Sequence, residues 1–165
     1  MKKEFYLLEM VQLVGMWNSL TEEKRNAIPF KVYYQMKRAI AKLLPDVNQY
    51  EETRNEELRK IQEKYANDER SEEYTEDVVD ENGNPVLDEN GNQKTESGRR
   101  VKKEWIGAYQ KEIGILDNKL REILSEKYSF EYNTCNIEKI VNDLPDDSPL
   151  ESSDIDLIDA LLSEN

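Results

Sequence analysis

Carboxylates are the most abundant chemistry-bearing groups in this chain of 165 residues, which has 36 Asp and Glu against 23 Lys and Arg. They concentrate twice. Asp80-Glu81-Asn82-Gly83-Asn84 is followed at once by Asp88-Glu89-Asn90-Gly91-Asn92. The C-terminal stretch then carries Asp143, Asp146, Asp147, Glu151, Asp154, Asp156, Asp159 and Glu164, with no base after Lys139. Carboxylates at this density can ligate calcium, work as an acid and base pair, or present negative potential to a cationic partner. Calcium fails on spacing. A twelve-residue calcium loop needs Gly at its sixth position and a bidentate Glu at its twelfth. Counting from Asp80 puts Gly83 fourth and Gly91 twelfth.

Other chemistry is equally thin. The chain has no histidine, and its one cysteine, Cys135, lies among apolar and amide residues. The usual nucleophile and base pairs, zinc sites and internal disulfides are therefore absent from the sequence, as is a Gly-rich phosphate loop. Among 36 acids, carboxylate pairs arise by chance, so none points to a glycosidase-like site. The expectation is a non-enzymatic protein with no cofactor and no metal site. A net charge of −13 disfavours direct nucleic acid and anionic lipid, and favours a protein partner with a basic surface. Its candidate contacts are Asp80, Glu81, Asp88 and Glu89 in one cluster, and Asp143, Asp146, Asp147, Asp154, Asp156 and Asp159 in the other.

The elements that position these acids follow from apolar spacing. Tyr33, Met36, Ile40, Leu43, Val47 and Tyr50 keep helical phase across Pro45, which predicts a kinked helix or two abutting helices. Leu58, Ile61 and Tyr65 extend it as a charged arm. Trp105, Tyr109, Ile113, Leu116, Leu120 and Ile123 make a second arm, and the Asn-Gly pairs between them predict a reversal with positive φ at consecutive turn positions. The fold expected is mostly α, an antiparallel helical hairpin or bundle with a small β-hairpin tip between the two long helices. One domain spans 1–165, with 71–101 a projecting acidic insertion. Within it, Tyr74, Val78, Val79, Val86 and Leu87 are candidates for short strands, the alternative being a solvated loop.

The ends complete the outline. An apolar helix is expected from about Lys3 to Leu20, too short and interrupted to span a membrane. Thr21 and Asn136 are expected to cap helices, and Ser153 with Asp156 resembles a capping box. Arg99, Arg100, Lys102 and Lys103 are expected to open the second arm, where Gly107 and Gly114 permit close helix contact or else Gly114 marks a break. Tyr128, Phe130 and Tyr132 alternate as a strand would. Residues 1–44 hold eight bases against four acids, so the acidic tail either docks on the basic N-terminal region or stays exposed for a partner.

Several stretches together resemble a family of small uncharacterised proteins encoded by phages and prophages of Gram-positive bacteria. They are Trp17-Asn18-Ser19-Leu20, Met36 to Leu44, Glu63-Lys64-Tyr65-Ala66, Asn82 to Asp88, and Ser153-Asp154 leading to Leu157 through Leu162. The doubled Asn-Gly turn and longer tip depart from that pattern. The resemblance implies a phage origin and a host-directed or virion-related role. With the charge pattern it leads to the expectation of a cytoplasmic inhibitor of a host factor. That factor would be a nucleic-acid-binding complex, and the inhibitor an anti-defence protein of the anti-CRISPR kind. The alternative is a virion structural or assembly protein, and a homo-oligomer is compatible with either.

Overall fold

Ten elements follow one another along residues 2–163, the part of the chain that the computed structural model describes. Glu164, counted above with the tail acids, lies outside them. The order is β1 (Lys2–Tyr6), α1 (Leu7–Ser19), α2 (Glu22–Ala27), α3 (Phe30–Tyr65), β2 (Ser71–Asp77), β3 (Thr95–Val101), α4 (Lys103–Leu124), β4 (Lys127–Glu131), α5 (Ile137–Asn142) and α6 (Ser152–Leu162). The fold is mostly α, with two small antiparallel sheets. No helix among the described residues is long and apolar enough to cross a membrane.

The chain forms two compact units. One comprises Met1–Thr53 with Lys119–Asn165, the other Arg54–Asn118. In the first, the core is built from one face of α3, where Val32, Met36, Ala39, Ile40, Leu43, Val47 and Tyr50 are buried in helical phase. Helix α3 runs unbroken through Pro45, which decides for one helix over two abutting ones. Leu7, Met10, Leu13 and Val14 of α1 and Leu157, Ile158, Leu161 and Leu162 of α6 are buried with it, and α6 packs against both α1 and α5.

The N-terminus corrects the expectation of a helix from Lys3. Residues Lys2–Tyr6 form a strand that pairs antiparallel with β4, Phe5 opposite Tyr128 and Lys3 opposite Phe130. Phe5 is buried between exposed Glu4 and Tyr6, and its ring meets Tyr132 edge-on at 5.9 Å. The helix starts only at Leu7, where Glu9 reaches back to the Tyr6 N–H at 2.7 Å. Two caps lie where the sequence places them: Thr21 Oγ1 accepts from Lys24 N–H at 3.3 Å, and Asn136 Oδ1 from Lys139 N–H at 2.9 Å. The last helix is capped differently. Its N-cap is Glu151, whose N–H donates to Asp154 Oδ2 at 2.8 Å, so Ser153 and Asp156 form no box.

The second unit buries little, chiefly Tyr65, Ser71 and Leu116. Its centre is an aromatic and cationic cluster. The Tyr65 ring lies 5.3 Å from Tyr109 and 6.5 Å from Trp105, both edge-on, and the Arg70 guanidinium sits 4.7 Å over Trp105. Strands β2 and β3 pair from Ser71 opposite Val101 to Asp77 opposite Thr95. Arg99 and Arg100 therefore lie on a strand, not at a helix start, and α4 begins at Lys103. They face acids across the pair and beside it: Arg100 bridges Glu72 and Glu76, and Arg99 binds Asp68 and the Ser71 hydroxyl. Cross-strand charge pairing makes a ribbon of a stretch with little intrinsic strand propensity.

Gly107 and Gly114 do neither of the things expected of them. Helix α4 is continuous through both, and a Cβ added at either meets no atom within 4 Å. Each removes helix propensity without serving a contact. Gly107→Ala and Gly114→Ala are each expected to raise the free energy of unfolding by about 1 kcal/mol, measured as a higher denaturant midpoint at unchanged slope.

Candidate acidic interaction surfaces

The duplicated motif folds twice into the same loop. Gly83 N–H donates to Asp80 C=O at 2.9 Å while Asp80 N–H donates to Asn84 C=O at 2.8 Å, and Asp88, Gly91 and Asn92 repeat the pattern. Both glycines have φ of 80°, and no non-glycine among the described residues has positive φ. Each loop is thus a three-residue connection closed by a glycine bulge, which replaces the expected pair of consecutive positive φ values. Asp80 and Asp88 build these loops from within. Asp80 Oδ1 accepts from the Asn82 and Asn84 N–H groups at 2.9 and 2.8 Å, and Asp88 Oδ1 from Asn90 and Asn92, both at 2.9 Å.

The backbone amide of Asn84 first of all, and that of Asn92 for the second loop, hold these two carboxyls below the usual carboxylate range. Their charge is spent on loop architecture. Asp80→Ala and Asp88→Ala are each expected to speed amide exchange at the two Asn residues of the affected loop while leaving the other loop unchanged.

What remains for a partner is Glu81 and Glu89. Both are exposed, and neither has a hydrogen bond or ion pair among the described residues. The loops spring from a closed set of strand contacts in which Val78 N–H donates to Lys94 C=O, Lys94 N–H to Val86 C=O, and Val86 N–H to Val78 C=O. Immediately before each loop aspartate an apolar side chain stands open to solvent, Val79 at 54% and Leu87 at 58% exposure.

The tail acids divide. Asp154 is only 7% exposed, and its Oδ2 lies 2.9 Å from Lys24 Nζ, which also meets Glu151 Oε2 at 2.8 Å. The two carboxylates raise the Lys24 pKa. Asp154 is thereby part of the seat of α6, with its charge at the helix N-terminus where the dipole favours it. Asp159 is half-buried, its backbone C=O 3.5 Å from Lys3 Nζ, and Ser163 Oγ takes the same ammonium at 3.3 Å. Asp143, Asp146, Asp147 and Asp156 are exposed. Of the two fates weighed for the tail, α6 itself is docked, and these four acids remain at the surface.

Among the described residues no three acidic or thiol side chains come together as metal ligands. Burial pushes the Cys135 thiol pKa up, and Gln35 Oε1 accepts from its Sγ, the opposite of an activated nucleophile. The chain matches none of the known family models, curated proteins or solved structures with which it was compared.

One surface went unread in the sequence. Phe30 is 84% exposed and Tyr34 53%, one turn apart on α3. At about 100° per residue they share a stripe with Lys37 and Arg38 diametrically opposite the buried positions of the helix. The signal was present in the letters: Phe30 and Tyr34 fall outside the phase of Met36, Ile40 and Leu43, and no acid occurs between Phe30 and Pro45.

Proposed function

We propose that this is a non-enzymatic, phage-encoded protein that binds a host factor bearing a basic surface and blocks it by occupying that surface. The observation that carries the proposal is the twin loop. A doubled five-residue motif spends its aspartates on holding shape and leaves one uncompensated glutamate, Glu81 or Glu89, on each copy. Preformed loops present charge at little ordering cost, which favours recognition over chemistry. In this reading α3 and α4 are antiparallel arms of a helical hairpin with the ribbon at its tip. The ring contacts of Tyr65 with Trp105 and Tyr109 and the Lys64–Glu112 ion pair support that arrangement. A host nucleic-acid-binding complex is the partner class whose surface suits such loops, because a site built for phosphates is already cationic.

The test is a pull-down from lysate of a Gram-positive host at low and high salt, with wild type and with two charge-reversal variants. The first is Glu81→Lys with Glu89→Lys; the second is Asp143→Lys, Asp146→Lys and Asp147→Lys. A specific host protein retained at low salt and lost at high salt and with the first variant supports the proposal. Retention indifferent to salt and to both variants overturns it.

A further inference from the structure

The exposed stripe on α3 is unusual for a chain of charge −13. Phe30 and Tyr34 face solvent, and Lys37 and Arg38 lie beside them with no carboxylate within ion-pairing distance among the described residues. The Arg38 guanidinium instead sits 6.0 Å over the Tyr34 ring. Of the acids of α6, Asp154 is taken up at Lys24 and Asp159 lies beside Lys3, and neither these nor the exposed Asp156 pairs with Lys37 or Arg38 among the described residues. The core lies on the opposite side of the helix, so the two aromatics cannot serve it. Exposed apolar groups rimmed by unpaired charge of one sign are the composition of a contact surface.

The complement is present in the same chain. The ribbon offers two exposed apolar side chains, Val79 and Leu87, each beside a loop whose glutamate has no cation. The α3 face has two aromatics with two cations, and the two loops between them have two aliphatics with two anions. We propose that the ribbon loops of one copy dock on the Phe30, Tyr34, Lys37 and Arg38 face of a second copy. Charge complementarity selects this occupant, since the partner face is already built into every molecule. The contact joins two different surfaces, so it either closes reciprocally as a two-fold dimer or propagates head to tail into rings or open chains. It stands on these two faces alone and needs no host partner.

Sedimentation of the purified full chain tests it. Wild type at low ionic strength is expected to show a mass that rises with concentration above that of the monomer, and to return toward monomer near 1 M salt, where the screening length falls to about 3 Å. Lys37→Glu with Arg38→Glu, and separately Glu81→Lys with Glu89→Lys, are each expected to weaken association roughly tenfold or more. All four side chains are exposed, and circular dichroism checks that the variants fold. Mixing the two variants restores association, because the unaltered loops of the first meet the unaltered face of the second and the two reversed surfaces also complement each other. A monomeric wild type at every concentration overturns the proposal. So does an assembly that is untouched by either variant, or a mixture that stays apart.

Discussion

Replacing Leu161 by Ala is expected to lower the free energy of unfolding by about 2–5 kcal/mol, the range for removing a fully buried leucine side chain. Leu161 is completely buried, as are Leu157, Ile158 and Leu162 around it. The expectation is informative because Leu161 belongs to the most acidic end of the chain, for which the sequence leaves both docking and exposure open. Its helix is held from both ends: Lys24 grips Glu151 and Asp154 at the start, and Cys135 N–H donates to Leu162 C=O at 2.9 Å near the finish. The matched control is Asp156→Ala on the exposed side of the same helix, expected to change stability by no more than about 0.5 kcal/mol. Denaturant unfolding distinguishes the two, the first lowering the midpoint and the second leaving it in place. Equal effects at Leu161 and Asp156 would show that α6 is not part of the core.

How far the letters led differs between local and distant features. Helix α3 was legible because its apolar residues hold phase through Pro45, and the capping roles of Thr21 and Asn136 because they depend on residues three positions away. Strand β1 was not. Lys2-Lys3-Glu4-Phe5-Tyr6 has no β-branched residue and continues into an apolar helix. Its conformation is decided by pairing with β4, more than a hundred positions on. β3 was missed for a related reason, since Arg99 and Arg100 read as a basic helix start until their partners Asp68, Glu72 and Glu76 are placed beside them. The candidate surfaces divide the same way. Turn chemistry announced the twin loops, but not that Asp80 and Asp88 are consumed in building them. Nothing near Asp154 announced that Lys24 would take it out of solvent. Which acids are free is a tertiary property.

Truncating Tyr65 is expected to loosen the ribbon that carries the acidic loops. The ring is buried against Tyr109 and Trp105, with the Arg70 guanidinium 5.5 Å over it, and little else is buried in this unit. Losing a large buried aromatic from so thin a core is expected to speed amide exchange in β2 and β3 roughly a hundredfold or more. Tyr65→Phe keeps the ring and removes only the hydroxyl, which donates to Glu112 Oε1 at 2.9 Å, so its effect appears in the pH profile. The Lys64 ammonium first, and the Tyr65 hydroxyl second, hold the Glu112 carboxyl below its ordinary 4.5. A carboxylate depressed on folding contributes stability that is complete above its unfolded value and is lost as pH falls through the folded one. Wild-type protection is therefore expected to decline below pH 4.5. At the other end, burial first and Glu112 second raise the Tyr65 hydroxyl above its ordinary 10.0, a contribution present below that value and lost as pH rises through the folded one. Tyr65→Phe abolishes the alkaline contribution and shrinks the acid one, since Lys64 remains, whereas Glu112→Gln removes the acid one altogether. Protection factors for β2 and β3 between pH 3 and 11 follow both arms. A Tyr65→Phe profile superimposable on wild type at each end would mean that the hydroxyl and Glu112 are not coupled in solution.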